Sequence, residues 1–535
     1  MTSELNSDLH QSVAAPAPAS LEFWARYAPA APALREGARA LSYAAWNEQA
    51  NCLAEVLATR GGVKAGDRVA LCMVNRLEWF VTQAATAKLG ALLVPISCRL
   101  TPAEVHYIAA DSGAPVFLFD AEDSDSLARV WTDEPPTVRP CAVKLAIGVM
   151  RSDRDDVLSF EAVCSQAPVH PRVAARAPRS IVYTSGTTGR PRGVVHARTT
   201  LASAAQPTPA STAALERART ELIRNLLGAP LNHAAGQASA RSTHAIGGCV
   251  YIMPRFDARE TLETIARERI TFTFLVPTML NRIMNLPKDV LDANDVSSIR
   301  KITTGASPCP HSTKERVIAY FGAHCLVESY GTTEVGIIAR MQPEDHLVKP
   351  GACGRVIEGV DVKIRDSDGR DLPRDEPGEI CVRTPYMIER YLNEAPPREL
   401  VDGYFATGDI GRFDHDGFLY VVDRKKDMII AGGVNIYPAE IEEALRQHPA
   451  VLDAAAFGVP HPDLGEQVKA VVECVEGERG RVNEAELLAF LADRLAAYKR
   501  PRWIEVVAEI PRNPAGKVLK RQLREPYWAN AGKPI

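Results

Sequence analysis

The chain has little that would place it among metal-centred, disulfide-stapled or membrane-spanning proteins. Its 11 cysteines are scattered and form no Cys-x-x-Cys pair. That argues against a zinc site or a disulfide framework and fits a reducing compartment. The 12 histidines show no metal-ligand spacing. No apolar run approaches the length of a membrane span. The net charge of −4 gives no electrostatic case for nucleic acid or for an anionic membrane surface. The first 20 residues carry acids and prolines and lack the charged-then-apolar order of a signal peptide. They read as a disordered lead to a cytoplasmic protein. No internal repeat is evident.

What remains is a long soluble chain. At 535 residues it exceeds one comfortable core, so at least two domains are expected. Helix and strand patterns alternate from about Leu21. Trp46 to Arg60 has helical spacing, Arg68 to Met73 reads as a strand, Glu78 to Leu89 as a helix, and Ala91 to Ile96 as a buried strand. Thr101-Pro102-Ala103-Glu104 starts another helix. Repeated β–α units imply parallel sheet with helices on its faces. Glu134 to about Arg179 reads as a mostly irregular connection. Val360 to Thr384 reads as short antiparallel strands around a Ser-Asp-Gly turn. A boundary falls near the charged segment Asp423 to Asp427. After it come strands, a helix from Pro438, more strands and a helix from Asn483 to Ala497, about right for a small α+β domain.

The densest chemistry lies in Tyr183 to His196, YTSGTTGRPRGVVH, directly after an apolar strand-like run. Glycines let backbone N–H groups turn toward an anion, hydroxyls add donors, and Arg190 and Arg192 add charge. The segment suits a polyphosphate. It is no Walker A loop, since no Gly-Lys-[Ser/Thr] closes it. Four further blocks follow in order: YGTTE (Tyr330 to Glu334), TGD (Thr407 to Asp409), DRKKDMIIAGGVNIYPAEIE (Asp423 to Glu442) and PRNPAGKVLK (Pro511 to Lys520).

This ordered set resembles the adenylate-forming superfamily of acyl- and aryl-CoA ligases, carrier-protein adenylation domains and beetle luciferases, over about Leu41 to Arg524. The resemblance implies an α/β fold. Its large N-terminal domain, residues 21–422, would hold two α/β sheets plus a small β-rich subdomain. A hinge at 423–427 would lead to a small mobile α+β C-terminal domain, residues 428–535. The implied reaction is activation of a fatty or aryl acid by ATP as an acyl adenylate, with release of pyrophosphate, followed by formation of a CoA thioester. ATP, Mg2+ and coenzyme A are the implied cofactors. A stand-alone enzyme loading an acyl carrier protein is the alternative, and a luciferase-like oxidase or a non-catalytic scaffold are more distant rivals. Oligomeric state and the identity of the acid are not legible.

Carried over by resemblance, Thr184, Ser185, Gly186, Thr187, Thr188 and Gly189 wrap the β- and γ-phosphates, and Arg192 stands where lysine is usual. Gly305, Ala306 and Ser307 line the adenine and acyl region. Glu328 and Ser329 precede Tyr330 and Gly331, with Tyr330 near adenine. Thr333 meets the α-phosphate and Glu334 holds magnesium, with Thr184 as a second metal contact. Asp409 would accept from both ribose hydroxyls, since a carboxylate suits a vicinal diol. Arg424 contacts ribose or phosphate, Lys426 is the hinge, and Gly432 and Gly433 meet the pantetheine arm. Lys517 would reach the reacting carboxylate and α-phosphate. In PLNHAAGQASARSTHAIGG (Pro230 to Gly248), His233 is either a gate or an ordinary core histidine. Gln237, Arg241 and His244 form one helical stripe that faces solvent or protein, or else lines a polar acid pocket.

Overall fold

Runs of β-branched and aliphatic residues set the sheets. In the computed structural model, which describes residues 20–120, 145–149, 157–165, 172–174, 178–185, 191–196, 223–432, 434–475, 477–512 and 517–529, the chain divides into two units. One comprises residues 1–183, 201–227 and 237–254; the other comprises 184–200, 228–236 and 255–535.

The first unit contains a five-stranded parallel sheet in the order Leu92–Ile96, Arg68–Cys72, Val116–Asp120, Leu145–Val149, Val157–Ser159. Its strands bury Val69, Leu71, Leu93, Phe117, Leu118 and Ile147 completely or nearly so. Strands buried on both faces read as near-continuous apolar runs, as these do. The helix Pro102–Ser112 starts on a capping box: Thr101 accepts from the Glu104 N–H while Glu104 accepts from the Thr101 N–H. The stretch expected to be irregular, Glu134 to Arg179, supplies the last two strands of this sheet and the short helix Phe160–Cys164. Proline- and aspartate-rich flanks hide strands of only five and three residues, which pair with each other, the first also with Val116–Asp120. A second set of strands runs Arg224–Leu227, Cys249–Ile252, Pro32–Glu36, Arg39–Ser42, parallel except for the last pair.

In the second unit, Phe272–Phe274, Lys301–Gly305 and Leu326–Thr332 run parallel, and Gly336–Met341 and Arg355–Val356 continue antiparallel. The expected β-rich part is present as Asp361–Arg365, Gly378–Arg383, Tyr404–Phe413 and Leu419–Arg424, all antiparallel neighbours. Its core joins Ile364, Ile380, Val382, Phe405 and Leu419. The C-terminal α+β part pairs Val451–His461 with Gly465–Cys474, and the helices Pro438–Arg446 and Glu484–Ala492 pack Ile441, Leu445, Leu487 and Leu491 into its core. The α/β class with mixed sheets and a smaller α+β C-terminal part therefore matches the expected fold. Among the described residues no helix is long and apolar enough to cross a membrane.

Candidate active site

The second unit brings together Glu334, Asp409, Arg424, Lys426 and Lys517. Asp409 lies on the strand Tyr404–Phe413, paired in register with Arg424 on the next strand. One carboxylate oxygen accepts from the Tyr330 hydroxyl at 2.7 Å, and the other lies 3.7 Å from Arg424 Nε. The Asp409 N–H donates to the Thr407 hydroxyl at 3.1 Å, and that hydroxyl donates to the Ile380 carbonyl at 2.9 Å. Thus the Thr-Gly-Asp turn fixes its own aspartate. The Tyr330 hydroxyl is held well above its usual range by burial and by the Asp409 carboxylate beside it, so the phenol stays a donor.

Lys517 follows the last strand and precedes the helix Lys520–Trp528. Burial, with Arg424 as the next cause, lowers its ammonium to about 8, while Asp409 and Glu334 act in the opposite direction. Three cations therefore share the field of two carboxylates. Such crowding of cations makes the cluster a candidate site for an anion.

The strand ends around this cluster are shaped by close approach. A Cβ on Gly331 would come within 2.8 Å of Ile337 Cα, so the hairpin that carries Tyr330 and Glu334 closes only over glycine. A Cβ on Gly305 would collide with the Ser329 carbonyl oxygen across the parallel pair. The next residue, Ala306, adopts φ +69°, unusual for a residue with a side chain. Strain of this kind collects at functional sites. Ser307 follows it, half-buried. Thr333 and Glu334 are half-buried in the turn after Leu326–Thr332. Glu334 accepts from the Tyr391 hydroxyl at a long 3.4 Å.

Other expected site residues sit elsewhere or are engaged otherwise. Thr184 and Ser185 end the strand Val182–Ser185; Gly186, Thr187, Thr188, Gly189 and Gly433 lie outside the described residues. Arg192 pairs with Glu394 through two contacts of 3.0 and 2.6 Å. Glu328 is buried and pairs with Lys314, so its carboxylate serves the sheet–helix packing. Burial pushes that carboxyl up, opposed by Lys314. Gly432 is exposed, and its N–H donates to the Leu464 carbonyl at 2.8 Å. At Lys426, the expected hinge, the backbone carbonyl accepts from Arg524 at 3.4 Å.

Within the second unit His233 lies 3.3 Å from the Asn232 amide. In the first unit the Gln237 carbonyl oxygen accepts from the Ser180 hydroxyl at 2.8 Å. Arg241 is half-buried. His244 contacts the Ala33 carbonyl at 3.2 Å and packs edge-on or tilted against Tyr43, Trp46 and Phe80. Gln237 and His244 thus each have a partner within the protein. Sequence reasoning missed Tyr391 and Glu394. They belong to no motif block, and only the arginine at 192 signalled that an unusual partner was needed.

The family described as AMP-binding enzyme matches residues 21–392, and the AMP-binding enzyme C-terminal domain matches residues 440–517. The long-chain-fatty-acid–CoA ligase FadD13 of Mycobacterium tuberculosis is 37% identical over 503 residues, covering 92% of this chain and 94% of its own. The fatty acid–[acyl-carrier-protein] ligase ScoC of Streptomyces coeruleorubidus is 32% identical, with 96% of both chains covered. The solved structure of the amide bond synthetase McbA from Marinactinospora thermotolerans superposes with a TM-score of 0.80 at 29% identity, covering 95% of this chain and 99% of that one. These relatives differ in what receives the acyl group and share the matched family. With its polar cluster framed by both family matches, the chain belongs to the AMP-binding enzymes, the adenylate-forming ligases that activate a carboxylic acid with ATP.

Proposed function

We propose that this enzyme is an acid–CoA ligase acting on a fatty or aryl acid. The observation that supports the reading best is the convergence of Lys517, Arg424, Asp409 and Glu334. In the first half-reaction a carboxylate oxygen of the acid attacks the α-phosphorus, and the bond to the β-phosphate oxygen breaks to release pyrophosphate. Two anions must meet, so fixed cations matter most. Lys517 would bridge the incoming carboxylate and the α-phosphate, with Thr333 donating to the same phosphate. Asp409 would accept from the ribose hydroxyls, held in place by Tyr330 and Arg424. Tyr330, Gly305, Ala306 and Ser307 would border the adenine, and the segment from Thr184 would hold the outer phosphates.

Glu334 fits magnesium. That ion is bound by one or two carboxylates plus substrate phosphates, and Glu334 is a half-buried hard donor two positions after Thr332, whose buried hydroxyl has no hydrogen-bond partner among the described residues. When bound, magnesium would neutralise charge on the triphosphate. In the second half-reaction the C-terminal part would turn about Lys426 and bring Gly432 and Gly433 to the thiol arm of CoA. The CoA acceptor is favoured by the likeness to FadD13; the likeness to ScoC keeps a carrier-protein acceptor as the second reading.

The test is a panel of fatty and aryl acids assayed for pyrophosphate release, with CoA, with a loaded-ready carrier protein and with neither. Acid-dependent release and a CoA thioester product are expected. Acyl transfer to carrier protein with no CoA thioester would select the second reading.

A further inference from the structure

Arg192 does what a lysine at the same place could not. Its Nε and Nη2 donate to the two carboxylate oxygens of Glu394 at 3.0 and 2.6 Å. A planar guanidinium makes such a two-point pair and an ammonium does not. The same group lies over the Tyr391 ring, its central carbon 3.4 Å from the centroid. Tyr391 is only 5% exposed and packs in the apolar cluster with Val335, Ile338 and Ile388. Its hydroxyl reaches Glu334 Oε1 at 3.4 Å. The backbone reinforces the contact, because the Ile388 N–H donates to the Glu334 carbonyl at 2.7 Å. Arg192 sits on the neighbouring strand Pro191–His196, where Tyr391 pairs with Val194.

We propose that Arg192 is a positioning residue: Glu394, Arg192 and Tyr391 form a clamp that orients the Glu334 carboxylate for the divalent cation that accompanies ATP. A ring held on its face by a guanidinium and at its edges by apolar packing cannot tilt. Its hydroxyl then fixes one carboxylate oxygen and aims the other. Partners that orient a metal-binding carboxylate in this way control metal affinity. The inference rests on the adenylation reading above.

It is tested on the full-length protein by electron paramagnetic resonance of free Mn2+, titrated in the presence of a nonhydrolysable ATP analogue. Arg192→Ala and Tyr391→Phe should each weaken Mn2+ binding by roughly tenfold, at the lower end of losses seen when an orienting partner is removed. The double variant should be no weaker than either single one, because the two residues act as one unit. Glu394→Gln should weaken Mn2+ binding in the same direction while keeping the Arg192 charge, and it is the variant to read if Arg192→Ala does not fold. Losses that add fully in the double variant, or that fall on the metal-free affinity for the analogue, would make Arg192 a direct phosphate ligand and overturn the clamp. Variants that bind Mn2+ as well as wild type would overturn it too. Wild-type protein that binds no Mn2+ with the nucleotide would instead overturn the adenylation reading itself.

Discussion

Two regions carry polar residues at motif positions, and they differ in how those residues are satisfied. On the helix Ala234–Ala245, Gln237 has Ser180 and His244 has the Ala33 carbonyl within a ring of aromatic side chains. These groups have partners within the protein. Around Asp409, by contrast, Lys517, Arg424 and Lys426 crowd two carboxylates, and burial, with Arg424 as the next cause, lowers the Lys517 ammonium below its ordinary range. The first arrangement is architecture. The second is costly until anions arrive. Motif position alone does not separate the two; the charge of the surroundings does.

The comparison breaks most sharply at Lys517. Lys517→Ala should slow adenylation by roughly 10²–10³-fold, the scale for removing one preorganised partner of transition-state charge. Thioester formation from supplied acyl adenylate should survive far better. Single-turnover assays of each half-reaction check this, and equal losses in both would contradict the assignment of Lys517 to the adenylation step. Next in size is Lys426→Pro, which fixes a backbone dihedral at the hinge. Adenylate should still accumulate while CoA-dependent turnover falls severalfold. Wild-type rates in both steps would put the hinge elsewhere.

A smaller effect lies in the pH profile. Lys517 in the free enzyme is protonated below pH about 8 and neutral above it. In the proposed role of Lys517 adenylation needs the ammonium, so kcat/KM for pyrophosphate release should fall as pH rises through about 8, by about tenfold per unit beyond it, since kcat/KM reports the free enzyme. That limb should be missing from Lys517→Ala.

The smallest effect belongs to the satisfied region. Burial holds His244 down to about 4, opposed by its contact with the Ala33 carbonyl. Its folded value lies below the unfolded one, so its stability contribution is complete above pH about 6.5 and is lost as pH falls through about 4. His244→Leu should cost about 1 kcal/mol near neutral pH through the lost hydrogen bond. It should also lose less stability than wild type between pH 7 and 4, as thermal melts at each pH would show. The ranking of acids should not move; a changed ranking would make this helix stripe part of the acid pocket.

Much of this was legible because local chemistry declares itself. The capping box at Thr101, the apolar runs of the parallel sheet and the antiparallel strands around the Ser-Asp-Gly turn need only neighbouring residues to be read. The blocks that carry Glu334, Asp409 and Lys517 stood out for the same reason. What escaped is too short to show a pattern or depends on a partner outside its own motif. The strands Leu145–Val149 and Val157–Ser159 are too short to announce themselves amid charged and proline-rich flanks. Glu328 carries no sign of its buried pairing with Lys314, and nothing near Tyr391 says that its ring is covered by an arginine 199 positions earlier, the difference between 391 and 192.

The central claim is that the cation-rich cluster joins a carboxylate to the α-phosphate of ATP. It is tested most directly by supplying an acid labelled with 18O in its carboxylate, together with ATP and hydroxylamine as a general acyl acceptor. Mass spectrometry of the nucleotide product should find one 18O in AMP, because the oxygen that attacked phosphorus leaves with it. Unlabelled AMP, or ADP with the label in phosphate, would contradict the account.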